Sequence, residues 1–293
     1  MQARKVLNSW CIVVSLADVL LCLMACPGNG AAAEGKPEFQ ETKVKSETDD
    51  PVAQYNRGLK YHGGSGVPRD DSEAVRCYRM AGEQGYAVAQ WMLGACYEKG
   101  EGVGKDLVEA VRWYRKAADQ GQAKAQYNLA ACYASGRGVA KDDVEALKWC
   151  RKAAEQDDGR AQSTLGGCYR DGKGVPKDLE EAAKWFHKAA EQGDASAQFS
   201  LGRCYHNGDG VNQDALKAFS WIHKAADQGF AVAECVLGVC YQEGDGVAKD
   251  PVEALKWLRK AAAQGYGLAQ YNLGVAYQRG QGIAKDSVEA VKW

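Results

Sequence analysis

The chain lacks an excess of charge of either sign. Its 37 lysines and arginines face 38 aspartates and glutamates, interspersed without a block of one kind. Without a basic stripe it lacks the electrostatic footprint of a nucleic-acid binder. Metal-ligand spacing is missing as well. Among 11 cysteines and 4 histidines there is no Cys-x-x-Cys and no Cys/His pair at ligand distance, so no metal site is expected. Gly100-Glu101-Gly102-Val103-Gly104-Lys105 looks faintly like a phosphate loop but fails as one. Residue 99 is Lys where the first glycine should stand, and Asp106 follows Lys105 in place of Ser or Thr. The acylating pattern Ser-x-x-Lys is absent. These absences leave no catalytic residue to name, and neither an enzyme nor a cofactor is expected.

What the chain has is a period of 36 residues, with copies starting at 51, 87, 123, 159, 195, 231 and 267. Ala87-Val88-Ala89-Gln90 returns as Ala123-Lys124-Ala125-Gln126, Gly159-Arg160-Ala161-Gln162, Ala195-Ser196-Ala197-Gln198, Ala231-Val232-Ala233-Glu234 and Gly267-Leu268-Ala269-Gln270. A period of this size marks a stacked array in which each unit buries its apolar face against its neighbours. In the copy that starts at residue 87, Ala89, Leu93, Gly94, Cys96 and Tyr97 fall at helical spacing, and Gly100 and Gly102 then break the helix. Asp106 with Glu109 three residues on reads as a capping box opening a second helix. Ala110, Trp113, Tyr114, Ala117 and Ala118 give that helix its buried stripe, and Gly121 ends it. The cap is Asp in every copy: Asp70, Asp106, Asp142, Asp178, Asp214, Asp250 and Asp286. Helix A carries a tyrosine anchor from Tyr61 to Tyr277. Helix B carries Trp113, Trp149, Trp185, Trp221, Trp257 and Trp293, with Cys77 in the first copy. All are expected in the core.

The pattern Ala-x-x-x-Leu-Gly-x-x-Tyr-x-x-Gly-x-Gly-Val-x-Lys-Asp-x-x-Glu-Ala-x-x-Trp-x-x-Lys-Ala-Ala-x-x-Gly resembles the Sel-one-like repeat (SLR), a relative of the tetratricopeptide repeat. The resemblance covers residues 51–293. It implies an all-α fold: an α/α solenoid, a right-handed superhelix of about seven 36-residue helix-turn-helix repeats, the last incomplete. It also implies a non-enzymatic scaffold or adaptor that binds a protein or peptide. An alternative within the same family is an exported protein that binds or hydrolyses cell-wall fragments. The first copy has Arg57 where the others have Leu, and Lys60 where five others have Cys, as a capping repeat would. The seventh copy stops at Trp293 in mid helix B, which reads as a truncated copy.

Residues 1–33 read as a signal peptide or N-terminal anchor. Arg4 and Lys5 precede a mostly apolar run from Val6 to Ala25, and Ala31-Ala32-Ala33 offers a small-residue exit. Leu23-Met24-Ala25-Cys26 resembles a lipobox, making Cys26 a candidate for lipidation. Asp18 weighs against a spanning anchor, at roughly 2.5–3.5 kcal/mol for a central charge. Residues 34–50 read as a flexible linker. The expected location is therefore outside the cytoplasm (periplasmic, envelope-associated or secreted), with membrane contact only through the leader. A cytoplasmic protein is the alternative.

Cys96, Cys132, Cys168, Cys204 and Cys240 share one repeat position. Stacked helices stand about 8–10 Å apart, beyond disulfide reach, so these five are expected as free, buried groups. Reduced thiols sit awkwardly with an oxidising compartment, and the leader is given more weight. The partner is sought on helix A. One position there reads Tyr55, Trp91, Tyr127, Ser163, Phe199, Cys235 and Tyr271. Its aromatic members, Tyr55, Trp91, Tyr127, Phe199 and Tyr271, would line a groove if the array curves as tetratricopeptide arrays do. The adjacent outward position varies freely: Glu98, Ala134, Arg170, His206, Gln242 and Gln278.

Overall fold

Seven aspartates decide where the second helix of each copy begins, and each does so in the same way. The side chain of Asp106 accepts from the backbone N–H of Val108 and Glu109, both at 2.9 Å. Asp70, Asp142, Asp178, Asp214, Asp250 and Asp286 cap their helices alike. Such a cap satisfies N–H groups that the helix itself cannot. The first helix of each copy ends on a glycine in the left-handed region, such as Gly100 at φ 81°, whose N–H closes on the Cys96 carbonyl.

The computed structural model describes residues 50–293. The leader, Cys26 and residues 34–49 lie outside the described residues. Asp50, assigned above to the linker, caps the first helix by accepting from Val52 and Ala53. The described chain divides into two units. The first, ending at Lys141, holds α1 (Pro51–Gly63), α2 (Asp71–Glu83), α3 (Ala87–Lys99), α4 (Leu107–Asp119) and α5 (Ala123–Ser135). The second, starting at Asp142, holds α6 (Asp143–Ala154), α7 (Gly159–Asp171), α8 (Leu179–Glu191), α9 (Ala195–Asn207), α10 (Ala215–Asp227), α11 (Ala231–Glu243), α12 (Pro251–Ala263), α13 (Gly267–Arg279) and α14 (Ser287–Lys292). All regular structure among the described residues is helical, and within each unit every helix packs on the one before and the one after it. This is an α/α solenoid of helix pairs.

Two close approaches set that packing. Within a copy, helices A and B cross at Gly94. A Cβ there would come 2.6 Å from the ring of Tyr114 and 3.2 Å from the Ala110 carbonyl. Gly166 meets Phe186, Gly202 meets Ile222 and Gly238 meets Leu258 in the same manner. Between copies, the second loop glycine sits against the first turn of the preceding helix B. Gly102 lies on the carbonyl of Asp71, Gly138 on Leu107, Gly210 on Leu179, Gly246 on Ala215 and Gly282 on Pro251. Any side chain there would overlap backbone. Gly66 in the first copy faces nothing within 4 Å among the described residues.

The core is built of small and branched residues. Leu93, Leu129, Leu165, Leu201, Leu237 and Leu273 are sealed from solvent, as are the paired alanines of helix B such as Ala117 and Ala118. Trp113, Trp149, Trp257 and Cys77 are buried as expected. Trp185 and Trp221 are only half-buried, and Trp293, on the six-residue α14, is exposed. The tyrosine anchors of helix A are also half-buried rather than core. The reason is a partner for the hydroxyl, which Arg79 supplies to Tyr97, Arg115 to Tyr133, Arg151 to Tyr169 and Arg259 to Tyr277.

Candidate functional site

The helix-A stripe is built from side chains that lean toward the start of the next helix A. Tyr55 meets Tyr86 edge-on, with ring centroids 5.4 Å apart, and Phe199 meets Phe230 at 5.7 Å. Ser163 donates to the buried carboxylate of Asp194, the cap of α9, which also takes the N–H of Ala197 at 2.6 Å. Cys235 and Tyr266 belong to one apolar cluster. In each case the partner stands 31 positions on, at the N-cap of the following helix. The stripe is thus mostly a packing position, a pairing that fixes the angle between copies.

That geometry corrects part of the expectation. Tyr127 and Phe199 are 6% and 7% exposed, so they cannot offer a ring to a partner. Tyr55 and Trp91 are half-buried, and Tyr271 is 65% exposed. Trp91 differs from the rest of the row. The ammonium of Lys124 stands 5.0 Å from its ring centre, a cation–π contact. With the Asn128 amide turned to meet it, the indole N–H donates to that amide's oxygen at 3.3 Å. Two turns further along the same helix, Glu98 accepts from the Tyr114 hydroxyl at 2.7 Å and pairs with Arg137 at 2.8 Å. Burial, with the Glu98 charge adding to it, pushes the Tyr114 hydroxyl far above the usual phenol range, so it acts only as a donor here.

In the second unit the varying position carries Arg170, held by Asp171 at 2.8 Å, and His206, paired with Asp245 at 3.1 Å. The Asp171 bond holds the Arg170 guanidinium above its ordinary range and outweighs burial. These side chains are ordered by ion pairs within the molecule. The five in-phase cysteines are free and buried, as are Cys77, Cys150 and Cys235. Burial pushes Cys96, Cys132 and Cys240 up to about 12, and Cys168 and Cys204 to about 11. Such thiols are poor nucleophiles.

The glutamate of the capping box also departs from expectation. The cap's own N–H goes to the tyrosine carbonyl of helix A, as Asp106 to Tyr97 at 3.0 Å, so the glutamate has nothing to reach back to. It pairs instead with the basic residue three positions on: Glu109 with Arg112 and Glu145 with Lys148. Where the glutamate is missing, Lys217 pairs with the cap Asp214 itself.

A family model described as Sel1 repeat matches residues 51–86, 87–122, 123–158, 159–194, 195–230, 231–266 and 267–293. Among solved structures, a protective antigen present in uropathogenic Escherichia coli strains and displaying an SLR fold is 37% identical. Its TM-score is 0.79, over 86% of this chain and 54% of its own, so the chain spans about half of that protein's length. A Sel1 repeat protein from Oxalobacter formigenes is 35% identical, with a TM-score of 0.75 over 82% of this chain and 94% of its own. No curated protein sequence matches the chain.

Proposed function

The chain belongs to the Sel1 repeat family, and from that membership we propose that it is a non-enzymatic scaffold that holds a protein segment on the outward side chains of helix A, outside the cytoplasm. The observation that carries this reading is a contrast within one repeat. The leucine and small core positions hardly change from copy to copy, whereas Glu98, Ala134, Arg170, His206, Gln242 and Gln278, at one helix-A position, differ in charge and size. A surface held rigid and varied in chemistry suits recognition. Of the rings on the stripe, Trp91 offers the best anchor in the first unit, since it is only half-buried and its orientation is held by Lys124 and Asn128. Tyr55 and Tyr271 are secondary candidates. A few such aromatic anchors usually dominate an interface. Export rests on the leader, and the Escherichia coli relative's description as a protective antigen agrees with it. No helix among the described residues is long and apolar enough to cross a membrane.

The test is crosslinking by face. A photoreactive residue is placed at Ala134 or Gln242 on helix A, and at Arg112 or Lys256 on helix B, in cells making the full chain. The reading expects one partner captured from the helix-A sites and not from the helix-B sites, with capture at Ala134 lost on Trp91→Ala. Equal capture from both faces, or capture indifferent to Trp91, would reject it.

A further inference from the structure

One buried polar side chain recurs along the described copies, and its amide has two tasks. The nitrogen donates to a backbone carbonyl at the end of helix B in the preceding copy. Gln90 reaches Gly82 at 2.8 Å, Gln126 reaches Ala118 at 3.2 Å, Gln162 reaches Ala154 at 3.1 Å, Gln198 reaches Ala190 at 3.2 Å and Gln270 reaches Ala262 at 3.4 Å. The oxygen accepts from a second glutamine just past helix B of its own copy. Gln84 donates to Gln54, Gln120 to Gln90, Gln192 to Gln162 and Gln228 to Gln198, at 2.7–2.9 Å. One amide therefore ties three helix ends together, and a buried group needs both bonds.

In the sixth copy the position is Glu234, which is 3% exposed. It keeps the acceptor task, taking the Gln264 amide at 2.8 Å. An ionised carboxylate has no proton for the other task. The carbonyl in that place is Ala226, equivalent to Gly82, Ala118, Ala154, Ala190 and Ala262, and like them it already accepts backbone N–H groups at the helix end, from Gln228 and Gly229. Helices α10 and α12 pack most extensively on α11, and α13 reaches it through the Asn272 amide on Cys235. On α12 the charge that bears on Glu234 is Lys260, which favours the ionised form but is held over the ring of Trp257. On α10, Lys224 is held over Trp221, and Asp227 is paired with His223. Burial outweighs Lys260 and the Gln264 bond, and holds the carboxyl above the ordinary glutamate range.

We propose that Glu234 is a proton-binding site that governs the joint between the fifth and sixth copies. Protonated, it donates to the Ala226 carbonyl as glutamine does elsewhere, and the joint closes. Ionised, it leaves that bond unmade and sets oxygen against oxygen, and the joint loosens. The folded carboxyl keeps its proton to higher pH than the unfolded one. The stabilisation is therefore full below the unfolded value of about 4.3 and is lost as pH rises through the folded midpoint.

Glu234→Gln supplies the missing N–H at every pH. In urea unfolding of the full chain near pH 7 it should raise the folding constant by about tenfold for each unit by which the folded midpoint is raised. The two proteins should converge near about pH 4. The converse change, Gln198→Glu, should install a second joint of the same kind, weaker at neutral pH and recovered on acidification. Carboxyl-carbon NMR of Glu234 reads its titration directly. A midpoint at or below that of an ordinary glutamate, or a Glu234→Gln effect that does not vary with pH, overturns the proposal. So does a Gln198→Glu protein whose loss is the same at both pH values.

Discussion

At the scale of single residues, the small and capping positions were legible and the paired ones were not. An aspartate followed by a helical stripe announces a cap whatever surrounds it, because the bond it makes is local. Its glutamate partner could not be read so safely. The tyrosine carbonyl that displaces it comes from another helix, and only the fold brings it near. The aromatic stripe misled for the same reason. Tyr55 and Phe199 look like a row open to a partner until Tyr86 and Phe230, 31 positions on, are seen to cover them. That second row stood in the sequence and could have been found by comparing copies at that offset. The cysteines yield a prediction at this scale. Their thiols are buried and pushed up to about 11–12. A thiol reagent at neutral pH should react with none of Cys77, Cys96, Cys132, Cys150, Cys168, Cys204, Cys235 and Cys240 in the folded protein. All eight should react in denaturant without reductant. Rapid labelling of several in the folded state would mean that the core is open.

The element scale turns on the loop between helices A and B. The two glycines that break helix A there divide the work. Gly100 and its equivalents end helix A in the left-handed region, and Gly102 and its equivalents admit the preceding copy. The difference can be measured because Gly66, in the copy that starts at residue 51, meets no atom within 4 Å among the described residues. Gly66 and Gly210 share a positive φ, 77° and 71°, but Gly66 faces open space while Gly210 rests on the carbonyl of Leu179. Both alanine substitutions carry the conformational penalty, and only Gly210→Ala adds the collision. It should lower stability by roughly 1–3 kcal/mol more than Gly66→Ala, in the range of overpacking. Equal urea midpoints for the two variants would show that copies do not meet there. The crossing glycines, such as Gly94 against Tyr114, were visible in the sequence only as members of a stripe. Nothing in the spacing told which small residue, Gly94 or Ala110, makes the closest approach.

For the whole molecule, what the sequence made plain was the fold class, since a strict period leaves few other ways to bury so many small residues. The partner was not legible, because varied outward residues do not name the chemistry of what they meet. The pairs on the stripe carry one more consequence. Tyr55 and Tyr86, Ser163 and Asp194, Phe199 and Phe230, and Cys235 and Tyr266 each lie inside a single matched copy. The close approach of the second loop glycine to the preceding helix B, which does cross between copies, recurs at Gly102, Gly138, Gly210, Gly246 and Gly282. Deleting residues 195–230 should therefore give a helical protein that unfolds cooperatively, with a urea slope reduced in proportion to the surface removed. A deletion two residues shorter should not fold. Should both behave alike, the period is not what organises the chain. In genetic terms the copy is then a unit of inheritance: recombination between two copies lengthens or shortens the gene while each of these pairs stays together, so lineages can differ in the number of copies.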